Sequence, residues 1–109
     1  MTQKKSKKLL EDGQVKRARL PKRGELFAVV MEMQGGSRMT AMCADGHTRM
    51  IRIGGKFKRR MWVRVNDLIL IKPWTIQENE KADLVYRYLP AERNWIIRKK
   101  IIPEELNIW

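Results

Sequence analysis

Between Glu25 and Leu89 the chain is a series of short apolar runs broken by glycines and polar turns. Most of the runs alternate with a period of two, the spacing of a strand with one face buried. Glu25–Met33 is rich in β-formers, and Gln34-Gly35-Gly36-Ser37 supplies a turn. Arg38–Cys43 alternates cleanly, with Met39, Ala41 and Cys43 on one face and Arg38, Thr40 and Met42 on the other. Asp45-Gly46 is a tight-turn signal between two such runs. His47–Ile53 then puts Ile51 and Ile53 inside and Thr48, Met50 and Arg52 outside, and Gly54-Gly55 ends the strand. Asp67–Trp74 is nearly continuous in apolar residues, as expected of a strand buried on both faces. After the polar turn Gln77–Glu80, Lys81–Leu89 alternates again, with Ala82, Leu84, Tyr86 and Tyr88 sharing one face. Five short strands with glycine-marked turns predict an all-β fold, a small five-stranded barrel of the oligonucleotide-binding (OB) type spanning residues 24–89.

The flanks read differently. Pro90-Ala91-Glu92 opens a helix, with proline suited to its first turn and glutamate to its positive end, while Arg98, Lys99 and Lys100 suit its C-terminal end. Ala91, Trp95 and Ile102 are expected to dock this 90–109 extension on the barrel, and Pro103–Leu106 to start a second short turn. Residues 1–23 hold nine Lys/Arg, two acids and few large apolar groups. Such a segment buries too little to offset its ordering entropy and is expected to be a flexible basic arm, either a solvated tail or a follower of phosphate backbone.

Charge narrows the function. The chain of 109 residues carries a formal net charge of +12 and has a pI near 10.4, which calls for an acidic partner. A membrane surface is disfavoured because no apolar run approaches the roughly 20 residues of a span and no long basic amphipathic helix is visible. Met1–Lys8 lacks the apolar core of a secretory signal. A single cysteine excludes an internal disulfide, and a soluble intracellular protein is expected.

The charge is most concentrated in Gly54–Arg64, where Lys56, Lys58, Arg59, Arg60 and Arg64 are five cations within nine residues, with Phe57 and Trp62 among them. The interval Arg49–Arg64 holds seven Lys/Arg and no acid. Cations packed this closely repel one another unless a polyanion neutralises them, and interleaved aromatics add base stacking. RNA contact is expected, with the cations on phosphates; Trp62 either stacks on a base or braces the loop. Arg38, Met42, Met50 and Arg52 on the outer face of strands 2 and 3 extend this candidate platform, against the plainer reading of ordinary strand decoration. Catalysis is not expected: His47 reads as a turn residue, Cys43 as a small core residue, and carboxylates are scattered. Ligands are too few for a metal cluster, and no cofactor-binding glycine pattern is present.

These residues together resemble the translation initiation factor 1A family of archaea and eukaryotes, related to bacterial initiation factor 1. The resemblance runs from Leu26 to Leu106. It rests on Ala41-Met42-Cys43 with Asp45-Gly46, on Ile53-Gly54-Gly55-Lys56 leading into Lys58-Arg59-Arg60-Met61-Trp62-Val63, on Asp67-Leu68-Ile69-Leu70, and on Lys81-Ala82-Asp83 and Pro103-Glu104. It implies an S1-like OB barrel with a C-terminal helix, and a cytoplasmic, non-enzymatic monomer without cofactor. It further implies binding through contacts to 16S-type ribosomal RNA (rRNA) at the decoding A site of the small ribosomal subunit, where such a factor excludes elongator tRNA and helps place initiator tRNA alongside other factors, including a translational GTPase. The family's RNA-contacting loop falls on Lys56, Lys58, Arg59, Arg60 and Trp62. Eukaryotic members carry a long acidic tail, whereas this sequence closes on Leu106-Asn107-Ile108-Trp109, which looks archaeal. That apolar end is expected either to dock a partner or to fold back on the helix. The rivals are a general RNA chaperone on the same fold, a basic ribosomal protein and, more remotely, a nuclease.

Overall fold

The computed structural model describes residues 18–35, 37–54 and 63–109. Its elements are β1 (Leu26–Gln34), β2 (Arg38–Cys43), β3 (Thr48–Arg52), β4 (Leu68–Pro73), β5 (Lys81–Arg87), helix α1 (Pro90–Arg98) and a 3-10 turn, Glu104–Leu106. The strands close a barrel in the order β1-β2-β3-β5-β4, all neighbours antiparallel except β3 and β5. The expected five strands are present, each within two residues of the boundaries read from the sequence.

Two apolar layers explain the two kinds of hydrophobic pattern. Inside the barrel, Ala28, Val30, Met39, Ala41, Ile51, Ile69, Ile71 and Ala82 are fully buried. A second cluster lies outside, where α1 and the C-terminal segment cover β1 and β4: Phe27, Val29, Leu68 and Leu70 pack there with Tyr88, Ile96, Ile102 and Leu106. β1 and β4 are therefore apolar on both faces along Phe27–Val30 and Leu68–Ile71, whereas β2 and β3 keep an open outer face and alternate.

One expectation about β5 is corrected. Ala82 and Leu84 point into the barrel, but Tyr86 and Tyr88 pack in the outer cluster. The cause is a bulge: Ile71 pairs with Leu84 and Leu70 with Tyr86, so Val85 is an extra residue and the alternation changes face across it. The two tyrosines meet edge to face with ring centroids 5.0 Å apart.

Helix α1 starts at Pro90 as expected, and Trp95 and Ile102 pack in the outer cluster as expected, but the fully buried residues of the helix are Glu92 and Ile96. Glu92 can be buried because its carboxylate is satisfied: Tyr86 O–H donates to it at 2.7 and 3.0 Å, and the Leu89 N–H at 2.9 Å. Burial and the adjoining carboxylate push the Tyr86 phenol well above its ordinary pKa, so it remains a donor. The helix ends in a Schellman motif, with Lys100 N–H donating to the Ile97 carbonyl at 2.9 Å and Ile101 N–H to that of Ile96 at 3.1 Å. Lys100 takes the left-handed position, φ 56°, that glycine usually fills. Leu106 is buried and the Arg93 guanidinium lies 5.0 Å from the Trp109 ring centroid, so the C-terminus folds back on the helix while Ile108 stays exposed.

The packed body begins before Gly24. Ala18 is buried in the outer cluster, and Arg19 is held by Glu25 at 3.1 Å and by the Tyr88 O–H, which donates to its carbonyl. Only the part of the expected arm before Ala18 lies outside the described residues.

Candidate nucleic-acid interface

The basic segment enters and leaves the barrel through two core residues. Ile53 and Val63 are both buried in the inner cluster. Ile53 N–H also donates to the Ser37 carbonyl at 2.8 Å, which puts the start of the segment beside the β1–β2 turn. On the return, Asp67 accepts from the Arg64 N–H at 2.8 Å and from Arg87 Nε at 3.0 Å, and Asn66 takes φ 75° to turn the chain into β4. The segment's ends are thus fixed by packing and hydrogen bonds. The expected contact residues Lys56, Phe57, Lys58, Arg59, Arg60 and Trp62 lie outside the described residues; Arg64 is described and exposed.

The other expected residues sit on the outer face of β2 and β3, in rows set by the strand register. Arg38 stands opposite Arg52, Thr40 opposite Met50, and Met42 opposite Thr48. Arg38 and Arg52 are exposed and form the row nearest the segment's root. Met50 is half-buried. Met42 is also half-buried and packs at the edge of the outer cluster, with Thr48 Oγ1 3.9 Å from its sulfur, so it supports the face more than it is presented by it.

Two like charges directly opposite on a sheet repel. Here the next strand relieves the repulsion: Asp83 of β5, in register with Arg52, accepts from its Nε at 3.0 Å and its Nη2 at 3.3 Å. The same carboxylate accepts from Trp74 Nε1 at 3.1 Å. Arg52 Cζ and Lys81 Nζ each lie 5.4 Å from the Trp74 ring centroid. Trp74, Lys81 and Asp83 meet across the antiparallel β4–β5 pair and were missed as site residues because only the parallel β3–β5 pairing brings Arg52, 31 residues before Asp83, against them. The available signal was a tryptophan directly after the Lys72-Pro73 end of a buried strand.

Arg49 belongs to the cationic interval by sequence but not by position. Its side chain is 2% exposed. It donates from both Nη atoms to the Asp45 carboxylate, at 2.9 and 2.8 Å, and from Nε to the Glu78 carbonyl at 2.6 Å, tying the β2–β3 turn to the β4–β5 loop. Hydrogen bonds from this guanidinium hold Asp45 down at a pKa of about 2. Burial pushes the neighbouring Cys43 thiol up, away from the thiolate a nucleophile needs. Among the described residues, no group of three or more His, Cys, Asp or Glu side chains could hold a metal ion, and no helix is long and apolar enough to cross a membrane.

A closed five-stranded barrel in this strand order, with an arginine-bearing open face beside a cationic insertion between β3 and β4, is an OB-type barrel protein. Comparison with known proteins gives the family. Residues 15–108 match the family described as Translation initiation factor 1A / IF-1. A protein of Methanothermobacter thermautotrophicus named Translation initiation factor 1A is 49% identical over 86 residues, covering 79% of this chain and 87% of its own length. Its namesake in Thermoplasma acidophilum is 46% identical over 81% of this chain and 73% of its own. That of Thermococcus kodakarensis is 41% identical over 94% and 89%. The chain belongs to the translation initiation factor 1A family.

Proposed function

We propose that this protein is a cytoplasmic, non-enzymatic translation initiation factor that binds the small ribosomal subunit at the decoding A site. Bound there, it excludes elongator tRNA and helps initiator tRNA settle in the P site, together with other initiation factors that include a translational GTPase. The reading is supported by family membership and by the names of the relatives. The observation that carries it is the mounting of the basic segment: a run with four cations from Lys56 to Arg60 and an adjoining Trp62 inserted between Ile53 and Val63, both seated in the barrel core. A polycation anchored at both ends to a folded scaffold loses less entropy on meeting structured RNA than the same run in a free tail, which favours affinity from its phosphate contacts. Arg38, Arg52 and Arg64 continue the footprint from the segment's root along the open face.

A general RNA chaperone on this fold would use aromatics clustered over the binding strands. The outer-face positions of β2 and β3 are Arg38, Thr40, Met42, Thr48, Met50 and Arg52, none of them aromatic. Sedimentation with purified small subunits tests the reading against that of a core ribosomal protein. The protein is expected to co-sediment at low salt, to be released by a high-salt wash, and to compete with A-site elongator tRNA. Retention through the wash, or simultaneous binding with A-site tRNA, would contradict it.

A further inference from the structure

Beside the arginine row lies a feature that phosphate binding by the basic segment leaves unused. Arg52, Lys72, Pro73, Trp74, Thr75 and Asp83 line an open cleft of about 420 Å³ where β3, β5 and the end of β4 meet. We propose that this cleft is a nucleotide subsite, in which one unpaired RNA base stacks on Trp74 and the Arg52 guanidinium while Lys72 and Lys81 face its flanking phosphates. The inference rests on the RNA-binding reading above and adds to it a second, separately testable place of contact.

The cleft is organised by a single carboxylate. Asp83 Oδ1 accepts from both Arg52 Nε and Trp74 Nε1, and Oδ2 accepts from Arg52 Nη2, so one part-exposed carboxylate brings an indole and a guanidinium side by side. Both are flat groups on which bases stack. Bringing them together in the unbound protein lowers the side-chain entropy that stacking would otherwise cost. The same bonds neutralise Asp83, the cleft's one acid, so it does not repel a phosphate. Arg52, Lys72 and Lys81 against Asp83 leave a local charge of +2, a balance that suits an anionic strand rather than a neutral or cationic ligand. Lys72 is exposed and in register with Asp83, on the far side of it from Arg52. The cleft is continuous with the expected footprint, since Arg52 belongs to both.

Binding of the full-length protein to a fluorescein-labelled single-stranded RNA of about eight nucleotides, within the range one barrel of this type covers, tests the subsite. The same RNA is used with an abasic site placed at each position in turn. Trp74→Leu is expected to weaken binding of the intact RNA about tenfold or more, while the log-log salt dependence stays unchanged because no phosphate contact is lost. Trp74→Tyr, which keeps a stacking ring, is expected to stay within about threefold of wild type. One abasic position should weaken wild type by a similar factor and cost the Leu variant nothing further. Equal affinity of wild type and the folded Leu variant would overturn the proposal, as would an abasic penalty of the same size in both. No ribosome is present in this assay. Failure here with intact small-subunit binding rejects the subsite alone, and Trp74-dependent RNA binding without small-subunit binding rejects the ribosomal reading alone.

Discussion

Asp45 and Arg49 show how one residue's surroundings decide what its charge does. The guanidinium is buried and the carboxylate that accepts both its Nη donors is part-exposed, so the pair clamps the β2–β3 turn and is unavailable to an external phosphate. Asp45 is held at a pKa of about 2, below the ordinary carboxylate value, so its contribution to stability is complete above the unfolded pKa near 4 and is lost as pH falls toward 2. Asp45→Asn is expected to cost about 1–2 kcal/mol at neutral pH, because it leaves a buried guanidinium without its counter-charge. It should also flatten the part of the acid unfolding curve between about pH 4 and 2. Denaturant melts of both proteins across that range check this; parallel curves would refute the clamp. Arg49's burial is legible in the sequence, since it shares the parity of Ile51 and Ile53, although its charge groups it with the cationic interval. The Arg52–Asp83–Trp74 grouping was not legible in this way. It depends on the pairing of β3 with β5, which no local pattern reports.

At the scale of elements, the two kinds of hydrophobic pattern carried the fold. Continuous runs in β1 and β4 mark strands covered on both faces, and alternation in β2 and β3 marks strands covered on one; the barrel and its open face follow. The docking face of α1 was read less well. Trp95 packs against the outer cluster as its spacing suggests, but the centre of the buried stripe is Glu92 and Ile96, because a glutamate that finds a tyrosine hydroxyl and a backbone N–H can be buried where charge alone suggests solvent. Ile96 is fully buried in the outer cluster, so Ile96→Ala is expected to destabilise the protein by about 2–4 kcal/mol. Lys100→Gly should act in the opposite sense. It relieves a non-glycine residue at positive φ and is expected to raise stability by about 0.5–1 kcal/mol, read as a higher denaturation midpoint. A loss of stability there would mean that the lysine side chain contributes more than its backbone strain costs.

Over the whole molecule, net charge was legible at once, and its arrangement only in part. The sequence places the basic segment between the third and fourth strands, and the barrel supplies what the sequence could not: Ile53 and Val63 in one core, the β1–β2 turn at the root, and Arg38 facing Arg52 beside it. If the segment contacts phosphates through Lys58, Arg59 and Arg60, their combined replacement by alanine should lower the log-log salt slope of binding to RNA by about 2–3. The central claim is that this segment carries the protein to the decoding site. Chemical footprinting of purified small subunits with the wild-type protein and with the Lys58/Arg59/Arg60 triple alanine variant tests it most directly. Protection confined to the decoding region by wild type, and lost in the folded variant, is the predicted result. Undiminished protection by the variant, or wild-type protection elsewhere on the subunit, would contradict it.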